Sequence, residues 1–525
     1  DWLWARGAGG SNSDNAYASA TDGDGATYIT GRFYSAATFG SHLLTSLGGY
    51  DIFVAKLDAE GNWLWAKRAG GGTDESGRGI AIGGNGKIYL TGEFNGMAHF
   101  GNIILQSVGG TEVFAACLDS SGNWLWARRA GGINNDEAKG VAADADGNCY
   151  ITGRLSGSGD FGATTLYSAG NDDIFVAKLN EAGNWLWAER AGGTENDCGY
   201  AVAVDNDGNC LVTGEFQGSA DFGKIDLASS AYHDICVAKL HPDGNWIWAV
   251  SAGGSGSDWG SGICADPDGN CYVTGAFGSA ATFGPFSLVS QGAWDCFAVK
   301  LGFDGEWIWA RRAGGANSDY GVGISTNGNG YIHVTGRFQG TAGFGASTLE
   351  SAGNFDAFAA KISAAGNWIW AVRGGGTGND LGQGSGVDNA GNSYFTGYYE
   401  ETGIFGPHPL VSMGSSDVFV AKLSVGGVPT DDPIIPGAQS SSALYGAFPN
   451  PARRGEAFQI KAHVAERETG TLSIYNLRGA CLERRQIGPG DQQISFDGSE
   501  FPSGVYLCRL KTGSQDYVRK LVLLK

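Results

Sequence analysis

The strongest constraint on this chain is a repeat of 61 residues. The motif W-[LI]-W-A returns seven times without insertion or deletion, at Trp2, Trp63, Trp124, Trp185, Trp246, Trp307 and Trp368. A glycine pair, a Thr-Gly pair and a Phe-Gly pair recur in the same phase, first at Gly9-Gly10, Thr30-Gly31 and Phe39-Gly40. A unit of this length does not bury its own apolar face, so the copies are expected to stack on one another.

Composition indicates what kind of unit repeats. The 525 residues include 90 Gly and 12% aromatic residues, and no stretch has a convincing helical period, which predicts an all-β chain with many tight turns. In the fourth repeat we predict strands over residues 184–191, 200–205, 210–216 and 234–240. Four short antiparallel strands are the content of one propeller blade. Residues 1–423 are therefore predicted to form a seven-bladed β-propeller.

The phase of the repeat predicts how the ring closes. The chain begins on a W-L-W-A strand, and the last repeat ends at residues 417–423 without another copy of that motif. We expect the N-terminal strand to supply the missing fourth strand of the last blade, which removes an exposed sheet edge.

The residues of the repeat also carry a family resemblance. The unit G-x-A-V-D-x-D-G-N-x-Y-x-T-G-x-F, followed by D-[IV]-F-V-A-K-L and W-x-W-A, resembles the SBBP beta-propeller repeat of bacterial extracellular proteins. The resemblance covers residues 1–423 in seven copies in phase. It implies a propeller scaffold and very little about activity.

A different small domain follows the repeats. Residues 424–444 are rich in Pro, Gly and Ser and are predicted to be a linker. Residues 445–525 show alternating runs at 458–464, 471–476, 492–496, 504–510 and 518–524, which predict strands. This segment resembles the C-terminal sorting domain of type IX secretion (Por). The matching motifs are Pro449-Asn450-Pro451, Ile474-Tyr475-Asn476-Leu477-Arg478-Gly479, Ser503-Gly504-Val505-Tyr506 and the closing run from Lys520 to Lys525. The resemblance implies a small Ig-like β-sandwich, the type IX secretion machinery as a partner, and often cleavage with transfer to a surface lipid anchor.

Charge separates the two parts and excludes some partners. Residues 428–525 hold 12 Lys and Arg against 10 Asp and Glu, which leaves 22 against 44 for the propeller. Such an acidic surface repels phosphate backbones, and we therefore expect no nucleic-acid partner. No apolar run approaches the roughly 20 residues of a membrane span. The first residue is not Met and no signal peptide precedes it, so we expect a mature or trimmed, monomeric form that is secreted or held at the outer-membrane surface.

Three recurrent features are predicted to belong to the scaffold. Turns such as Asp144-Ala145-Asp146-Gly147-Asn148 resemble calcium loops, but they lack a distal bidentate Glu, and hairpin turns are the favoured interpretation. The ten cysteines are expected to be small buried apolar side chains, with a Cys481–Cys508 disulfide on adjacent strands as an open alternative. A recurrent acid is expected to pair with backbone N–H groups or with recurrent lysines rather than to act in catalysis. It occupies Asp14, Glu75, Asp136, Asp197, Asp258, Asp319 and Asp380.

Two columns of positions beside that acid vary between repeats. The first column reads Asn15, Ser76, Glu137, Cys198, Trp259, Tyr320 and Leu381, and the second reads Tyr17, Arg78, Lys139, Tyr200, Ser261, Val322 and Gln383. We place both columns in the connection that opens on the face around the central channel, where binding residues concentrate. Trp259, Tyr320 and Leu381 fall on consecutive blades and are expected to form an apolar arc. The predicted ligand-binding residues are Trp259, Tyr320, Leu381, Tyr17, Tyr200, Arg78, Lys139 and Gln383. Relaxed variation at tolerant positions is the alternative explanation.

Three functions follow from these observations as hypotheses. The first is a binding module for an extracellular protein or glycan, which the variable columns favour. The second is a polysaccharide-active enzyme, a glycosidase or lyase, with carboxylates on the channel face. The third is a purely structural surface protein. The sequence predicts no cofactor, no metal site and no catalytic residue, since it contains no HExxH motif, no Cys/His cluster, no G-x-S-x-G elbow and no phosphate-binding loop.

Overall fold

The structure is a computed structural model that describes residues 1–328, 330–424, 443–448, 452–453, 457–464, 469–476, 478, 480–497, 499, 501–512 and 516–524. The chain divides into two compact units, Asp1–Pro429 and Thr430–Lys525. Apart from its two ends, the predicted linker lies outside the described residues, as do Pro449, Asn450, Pro451, Gly479 and Lys525. All regular elements of the described residues other than one short turn of 3-10 type are β-strands.

The first unit consists of strands β1 to β34. The first half are β1 (Trp2–Gly10), β2 (Asn15–Thr21), β3 (Thr27–Phe39), β4 (His42–Leu57), β5 (Trp63–Gly71), β6 (Ser76–Ile82), β7 (Ile88–Phe94), β8 (Met97–Phe100), β9 (Ile103–Gln106), β10 (Glu112–Leu118), β11 (Trp124–Ala130), β12 (Glu137–Ala143), β13 (Cys149–Phe161), β14 (Thr164–Leu179), β15 (Trp185–Ala191), β16 (Cys198–Val204) and β17 (Cys210–Asp221). The second half are β18 (Asp226–Leu240), β19 (Trp246–Gly254), β20 (Trp259–Ala265), β21 (Cys271–Phe283), β22 (Phe286–Leu301), β23 (Trp307–Gly315), β24 (Tyr320–Thr326), β25 (Tyr331–Phe338), β26 (Thr341–Phe344), β27 (Ser347–Glu350), β28 (Asp356–Ser363), β29 (Trp368–Gly374), β30 (Leu381–Val387), β31 (Ser393–Tyr399), β32 (Thr402–Phe405), β33 (His408–Val411) and β34 (Asp417–Leu423).

Each repeat forms the same antiparallel sheet. Its order is first strand, second strand, third strand and then the tryptophan strand, as in β2-β3-β4-β5. The equivalent sheets are β6-β7-β10-β11, β12-β13-β14-β15, β16-β17-β18-β19, β20-β21-β22-β23, β24-β25-β28-β29 and β30-β31-β34-β1. In the last of these, the N-terminal strand pairs with β34 from Trp2↔Leu423 to Ala8↔Val418.

The sheets are arranged around an axis. The first strands contact one another in the order β2, β6, β12, β16, β20, β24 and β30, and the series returns from β30 to β2. Four-stranded antiparallel sheets whose first strands surround a common axis form a β-propeller. The predicted all-β propeller fold is therefore present.

The recurrent tryptophans tie each sheet to its neighbours. The second tryptophan of the motif donates its indole N–H to a turn of the next sheet, as from Trp4 to the carbonyl of Ala59 at 3.1 Å and from Trp126 to that of Glu181 at 3.0 Å. Within one sheet, the first tryptophan packs edge-on against the Phe of the Phe-Gly pair, with 5.4 Å between the ring centroids of Phe39 in β3 and Trp63 in β5. These contacts join fixed positions of successive copies of the repeat. An insertion or deletion between two tryptophans would therefore disrupt them.

Strand ends differ from the sequence prediction in the fourth repeat. Its second strand extends to Asp221 and its third begins at Asp226, because these two residues pair with each other and lengthen the hairpin. The first strand runs Cys198–Val204, two residues earlier than predicted at its start. The alternation of apolar and polar residues in this stretch does not show at which residue the pairing between strands begins.

The recurrent acid anchors the start of each first strand. Asp258 accepts hydrogen bonds from the backbone N–H groups of Gly254 at 2.9 Å and Gly278 at 2.8 Å, and its side chain is buried. The recurrent lysines contact turn acids instead, as Lys239 does with Asp205 at 2.8 Å. The backbone role predicted for the acid is the one observed, and its pairing with lysine is not.

Cysteine side chains form no disulfide among the described residues. Cys481 is exposed and Cys508 is buried, and both thiols are free. Their strands lie on opposite sides of a third strand rather than next to each other, so the alternative disulfide is wrong.

The second unit holds two sheets. Its strands are β35 (Ala443–Phe448), β36 (Ala452–Arg453), β37 (Ala457–Val464), β38 (Gly470–Asn476), β39 (Cys481–Ile487), β40 (Gly490–Asp497), β41 (Gly504–Lys511) and β42 (Asp516–Leu524). One sheet has the order β35-β37-β40 and the other β36-β42-β41-β38-β39. Side chains of both sheets, including Phe458, Ile474 and Leu510, share one hydrophobic core. The five predicted strands are present, and β35, β36 and β39 were not predicted.

Candidate functional site

The variable positions of the first unit meet at one cavity of about 250 Å³. It lies where the first strands surround the propeller axis, and we call this surface the channel face. The lining consists of Tyr17, Arg78, Lys139, Tyr200, Trp259, Ser261, Tyr320, Val322, Arg337 and Gln383. The cavity thus brings together the whole second column, two members of the first column, and Arg337.

A repeated β-bulge directs the second column into this cavity. In every first strand the register shifts at the third residue, so that Tyr17, for example, has no partner between Ala16↔Gly31 and Ala18↔Thr30. The same shift occurs in the other first strands. A bulge leaves one residue out of the ladder and re-aims its side chain. The variable side chain is therefore released from sheet pairing in each copy.

The Thr-Gly pair of the repeat explains why the bulge recurs. A Cβ atom on Gly31 would overlap the backbone oxygen of Asn15, so only glycine permits this close approach of the first strand to the second. The preceding Thr30 donates its hydroxyl hydrogen to the carbonyl of Phe53 at 2.8 Å and fixes the second strand to the third. Invariant residues of the repeat thus hold the variable ones in place.

Neither column lies in a connection, where the sequence prediction placed both, and Tyr17 of the second column, for example, is the third residue of β2. Asn15, Trp259 and Leu381 are the first residues of strands, not members of a connecting loop, because pairing begins directly after the anchoring acid. Leu381 is 8% exposed and does not line the cavity. The apolar arc of three residues is therefore wrong in its third member, and Trp259 and Tyr320 form the arc with other aromatic rings.

Those rings make up what we call the aromatic side of the channel face, defined by Trp259, Trp294, Tyr320, Phe355 and Arg337. Trp259 and Tyr320 stack with 6.0 Å between centroids and 24° between planes, and Trp294 stacks on Tyr320 at 6.2 Å and 29°. Arg337 lies over Tyr320 at 4.5 Å and 5.7 Å from the centroid of Phe355. Within the described residues, the guanidinium of Arg337 has no carboxylate partner.

Opposite charges meet on the other side, which we call the paired side and define by Arg78, Glu93, Glu137, Lys139, Arg154, Asp172, Tyr200 and Glu215. Arg78 pairs with Glu93 at 2.7 Å, and Glu137 contacts both Lys139 and, at 2.6 Å, Arg154. Despite burial, these cations hold the pKa of Glu137 at about 2. The cations of this side are therefore neutralised by neighbouring carboxylates.

A second guanidinium, that of Arg32, lies on the far side of Tyr398 from Arg337. Arg32 is 4.2 Å from the ring centroid of Tyr50 and 5.8 Å from that of Tyr17, and its Nε is buried without a hydrogen-bond partner. Burial raises the pKa of Tyr398, while the positive charges of both arginines act to lower it. Positive charge thus continues from the aromatic side toward Tyr17.

The sequence prediction missed two further columns beside the first two, and Arg337, a member of one of them, lines the cavity. The second strands contribute Arg32, Glu93, Arg154, Glu215, Ala276, Arg337 and Tyr398, and the third strands, or the residues just before them, contribute Tyr50, Thr111, Asp172, His233, Trp294, Phe355 and Ser416. Both columns keep the interval of 61 and vary between repeats. The signal that identified the first two columns was therefore present for these as well.

The recurrent acids lie beneath the channel face and are buried, not free for chemistry. Burial raises the pKa of Asp14, Glu75 and Asp380 to about 7. It raises that of Asp136, Asp197, Asp258 and Asp319 to about 6. A second buried acid of the neighbouring third strand, such as Asp417 beside Asp14, adds repulsion in the same direction. These raised pKa values favour the protonated form of the recurrent acids below about pH 6 to 7.

The described part of the chain contains no group of three or more His, Cys, Asp or Glu side chains placed to hold a metal ion. The acidic turns close hairpins: Asp144 Oδ1 accepts the N–H groups of Asp146 and Asn148, and Gly147 has a φ of 81°. No helix of these residues is long and apolar enough to span a membrane.

Comparison with known families identifies the C-terminal segment. Residues 446–524 match the family model of the secretion system C-terminal sorting domain. This match confirms the predicted sorting domain. Such a domain implies export by type IX secretion to the cell surface or the medium.

Similarity over the propeller is weaker. The chain is 24% identical over 426 residues to the uncharacterized WD repeat-containing protein L264 of Acanthamoeba polyphaga mimivirus, covering 65% of this chain and 30% of that protein. It is 26% identical over 196 residues to the regulatory protein FlaEY of Caulobacter vibrioides, covering 35% of this chain and 20% of that protein. The WD40 domain of Neurospora crassa Pan2 is a similar solved structure, with 10% identity and a TM-score of 0.39 over 78% of this chain and 88% of that one. The chain spans less than a third of the length of the two curated relatives.

Proposed function

We propose that this chain is an exported, seven-bladed β-propeller that binds an extracellular glycan or protein in the cavity of its channel face. One observation carries the proposal: the second column, which varies from repeat to repeat, is released from the ladder by a bulge and lines one cavity in all its copies. Concave sites with a few converging polar groups on a rigid scaffold are where ligands bind. We assign the repeats to the SBBP type on the motifs of the sequence.

The domain limits belong to the same proposal. The propeller takes residues 1–423, a linker 424–444, and an Ig-like sorting domain 445–525. The closed series of first strands and the pairing of β1 with β34 support seven blades closed by the N-terminal strand. Two sheets that share one core support the sandwich.

The side chains of the cavity suit binding. Trp, Tyr and Arg are the residues that most often dominate binding energy, and all three line it. Trp259, Tyr200 and Tyr320 are held by stacking or by a hydrogen bond, as from the Tyr200 hydroxyl to Glu215 at 2.8 Å. A ligand therefore meets side chains that lose little freedom on binding.

The glycosidase or lyase alternative gains no support at this site. The cavity lining holds no Asp or Glu, and the nearby Glu93, Glu137 and Glu215 are engaged by partners. The recurrent acids are buried and accept backbone hydrogen bonds. A purely structural role is the remaining alternative, and binding measurements on variants of the cavity distinguish it from a binding function.

Binding panels test the proposal. The full chain is screened against extracellular glycans and cell-surface proteins, and each hit is repeated with Trp259→Ala combined with Tyr320→Ala. We expect affinity to fall by at least about 100-fold, since central aromatic anchors cost 2 kcal/mol or more each.

Tyr232→Ala is the matched control, because Tyr232 is 61% exposed and lies outside the cavity. It is expected to leave binding unchanged. Absence of any ligand, or hits that the double variant binds as tightly as the parent, would favour the structural role. Unchanged unfolding midpoints ensure that the double variant is folded.

A further inference from the structure

We infer that the ligand of this cavity is an acidic carbohydrate, whose sugar carboxylate pairs with Arg337 while a pyranose ring stacks on the rings of Trp259 and Tyr320. The inference rests on the proposed binding function and names the ligand class for that same site. It is carried by the charge of the lining and by the aromatic rings beside it.

Three cations, Arg78, Lys139 and Arg337, line the cavity, and among the described residues no carboxylate does. Of these cations, Arg78 and Lys139 already contact Glu93 and Glu137. Among the described residues, the guanidinium of Arg337 makes cation–π contacts and no ion pair, so its donors are available to an incoming anion. A guanidinium matches the two oxygens of a carboxylate.

The rings beside Arg337 present a surface for a sugar. Trp259, Tyr320 and Trp294 form a stacked group, and each is half-buried, so part of it stays accessible. The C–H face of a pyranose is apolar, whereas its rim of hydroxyls is polar. Stacking on an indole buries that face and leaves the hydroxyls for polar neighbours such as Gln383 and Ser261, which also line the cavity.

The charge of the whole propeller makes this spot distinct. Residues 1–427 carry 22 Lys and Arg against 44 Asp and Glu, so most of the surface repels an anionic polymer. On such a background Arg337, whose charge no carboxylate of the described residues neutralises, gives an acidic chain a point of attachment on the channel face. The volume of about 250 Å³ is below the roughly 300 to 1,000 Å³ of sites for larger ligands, so the cavity suits one end or one short segment of the chain.

Calorimetric titration of the full chain with matched sugars tests the inference. The probe is a galacturonic acid oligosaccharide, and its partner is the same oligosaccharide with the carboxyl groups reduced to alcohols. We expect the acidic probe to bind at least about 10-fold more tightly, since hydrogen bonds to a charged group add about 1.5 to 3 kcal/mol. Arg337→Gln is expected to lower affinity for the acidic probe by about 10- to 100-fold and to leave that for the reduced probe unchanged.

Three further variants complete the design. Trp259→Ala is expected to weaken both probes, because stacking does not depend on the carboxylate. Lys224→Gln removes an exposed positive charge elsewhere on the propeller and is expected to change neither. Arg337→Lys keeps the charge but not the fork of donors and is expected to retain part of the preference for the acidic probe.

The outcomes separate the inference from the proposed function. Equal affinity for both probes, lost in Trp259→Ala, overturns the acidic-ligand inference and leaves the binding function standing. A sulfated neutral oligosaccharide that binds as tightly as the galacturonate overturns the assignment to a carboxylate. Binding of the acidic probe that survives both Trp259→Ala and Arg337→Gln overturns the site itself. No binding of either probe also overturns the inference, and the wider panel then decides on the function.

Discussion

The two sides of the channel face are built on the same backbone and differ in how their charges are used. On the paired side, Arg78 faces Glu93, and Glu137 holds Lys139 and Arg154. On the aromatic side, the equivalents of Glu93 are Ala276 and Arg337, and rings replace carboxylates. Arg78 thus meets an acid as well as the ring of Tyr17, whereas Arg337 meets aromatic rings and no acid among the described residues.

The difference between the two sides lies in side chains that the repeat does not fix. The bulge, the Thr-Gly pair and the anchoring acid are the same in both sides, so backbone geometry does not separate them. A cation paired with a carboxylate is largely neutralised toward solvent, whereas a cation over a ring keeps its donors. On the function proposed above, the paired side therefore contributes to stability and the aromatic side to recognition.

A change of pH is expected to have the largest effect on stability, because it titrates the buried carboxyl pairs that lie beneath both sides of the channel face. The raised pKa values of Asp14 and Asp380, about 7, and of Asp319, about 6, mean that the folded state binds more protons than the unfolded state between about pH 4 and pH 7. The free energy of unfolding is thus expected to rise as the pH falls from 8 to 5. Several groups contribute, and each unit of pKa is about 1.4 kcal/mol, so the rise is on the order of several kcal/mol.

Urea unfolding of the propeller at a series of pH values measures this rise. Glu137 has the opposite sign: its lowered pKa means that its contribution is present above about pH 4.5 and is lost as the pH falls toward 2. Stability is expected to peak near pH 4 to 5. A stability that instead increases steadily from pH 5 to pH 8 would show that the carboxyl pairs are ionised in the folded protein.

Glu137→Gln tests the paired side alone. The change leaves Lys139 and Arg154 half-buried and close together without their shared carboxylate, so we expect a loss of about 1 to 3 kcal/mol in the free energy of unfolding. Arg337→Gln is the matched change on the aromatic side and is expected to cost less than about 1 kcal/mol. Equal losses in the two variants, measured by urea unfolding, would contradict the division into a stabilising and a recognising side.

Much of the fold could be predicted because each repeat copies its neighbour. The strands of the tryptophan motif and the pairing of β1 with β34 follow from the interval and phase. The strand β39 could not be predicted from the sequence. Its residues, Cys481–Ile487, are mostly exposed on both faces and it pairs only with β38 at the sheet edge, so it shows no apolar alternation.

The candidate site could be predicted only in part. Variation between copies identified Tyr17, Arg78 and Trp259, since positions that the scaffold does not need are free to differ. The same variation wrongly assigned Leu381 to the apolar arc. An apolar residue at a variable position is compatible with the hydrophobic core as well as with a binding surface, and Leu381 is buried. Arg337 was not predicted, although its column also varies between repeats, because its place at the cavity follows from the pairing of Arg337 with Tyr320 between the second and first strands.

Glu93→Gln is expected to have the smallest effect and to sharpen the comparison most. The change removes the carboxylate 2.7 Å from Arg78 and keeps a polar side chain of the same size, so the paired side gains a cation that is no longer neutralised. If availability of a guanidinium and not its mere presence determines recognition, affinity for the galacturonate probe should rise by about 2- to 5-fold, the modest gain expected of a partly solvated charge. Calorimetric titration against the parent and against Tyr232→Ala measures it. Arg78 lies 4.5 Å from the ring centroid of Tyr17. Unchanged affinity would mean that this ring contact holds Arg78 even without Glu93. Contact with an aromatic ring, and not pairing with a carboxylate, would then decide which arginine binds the ligand.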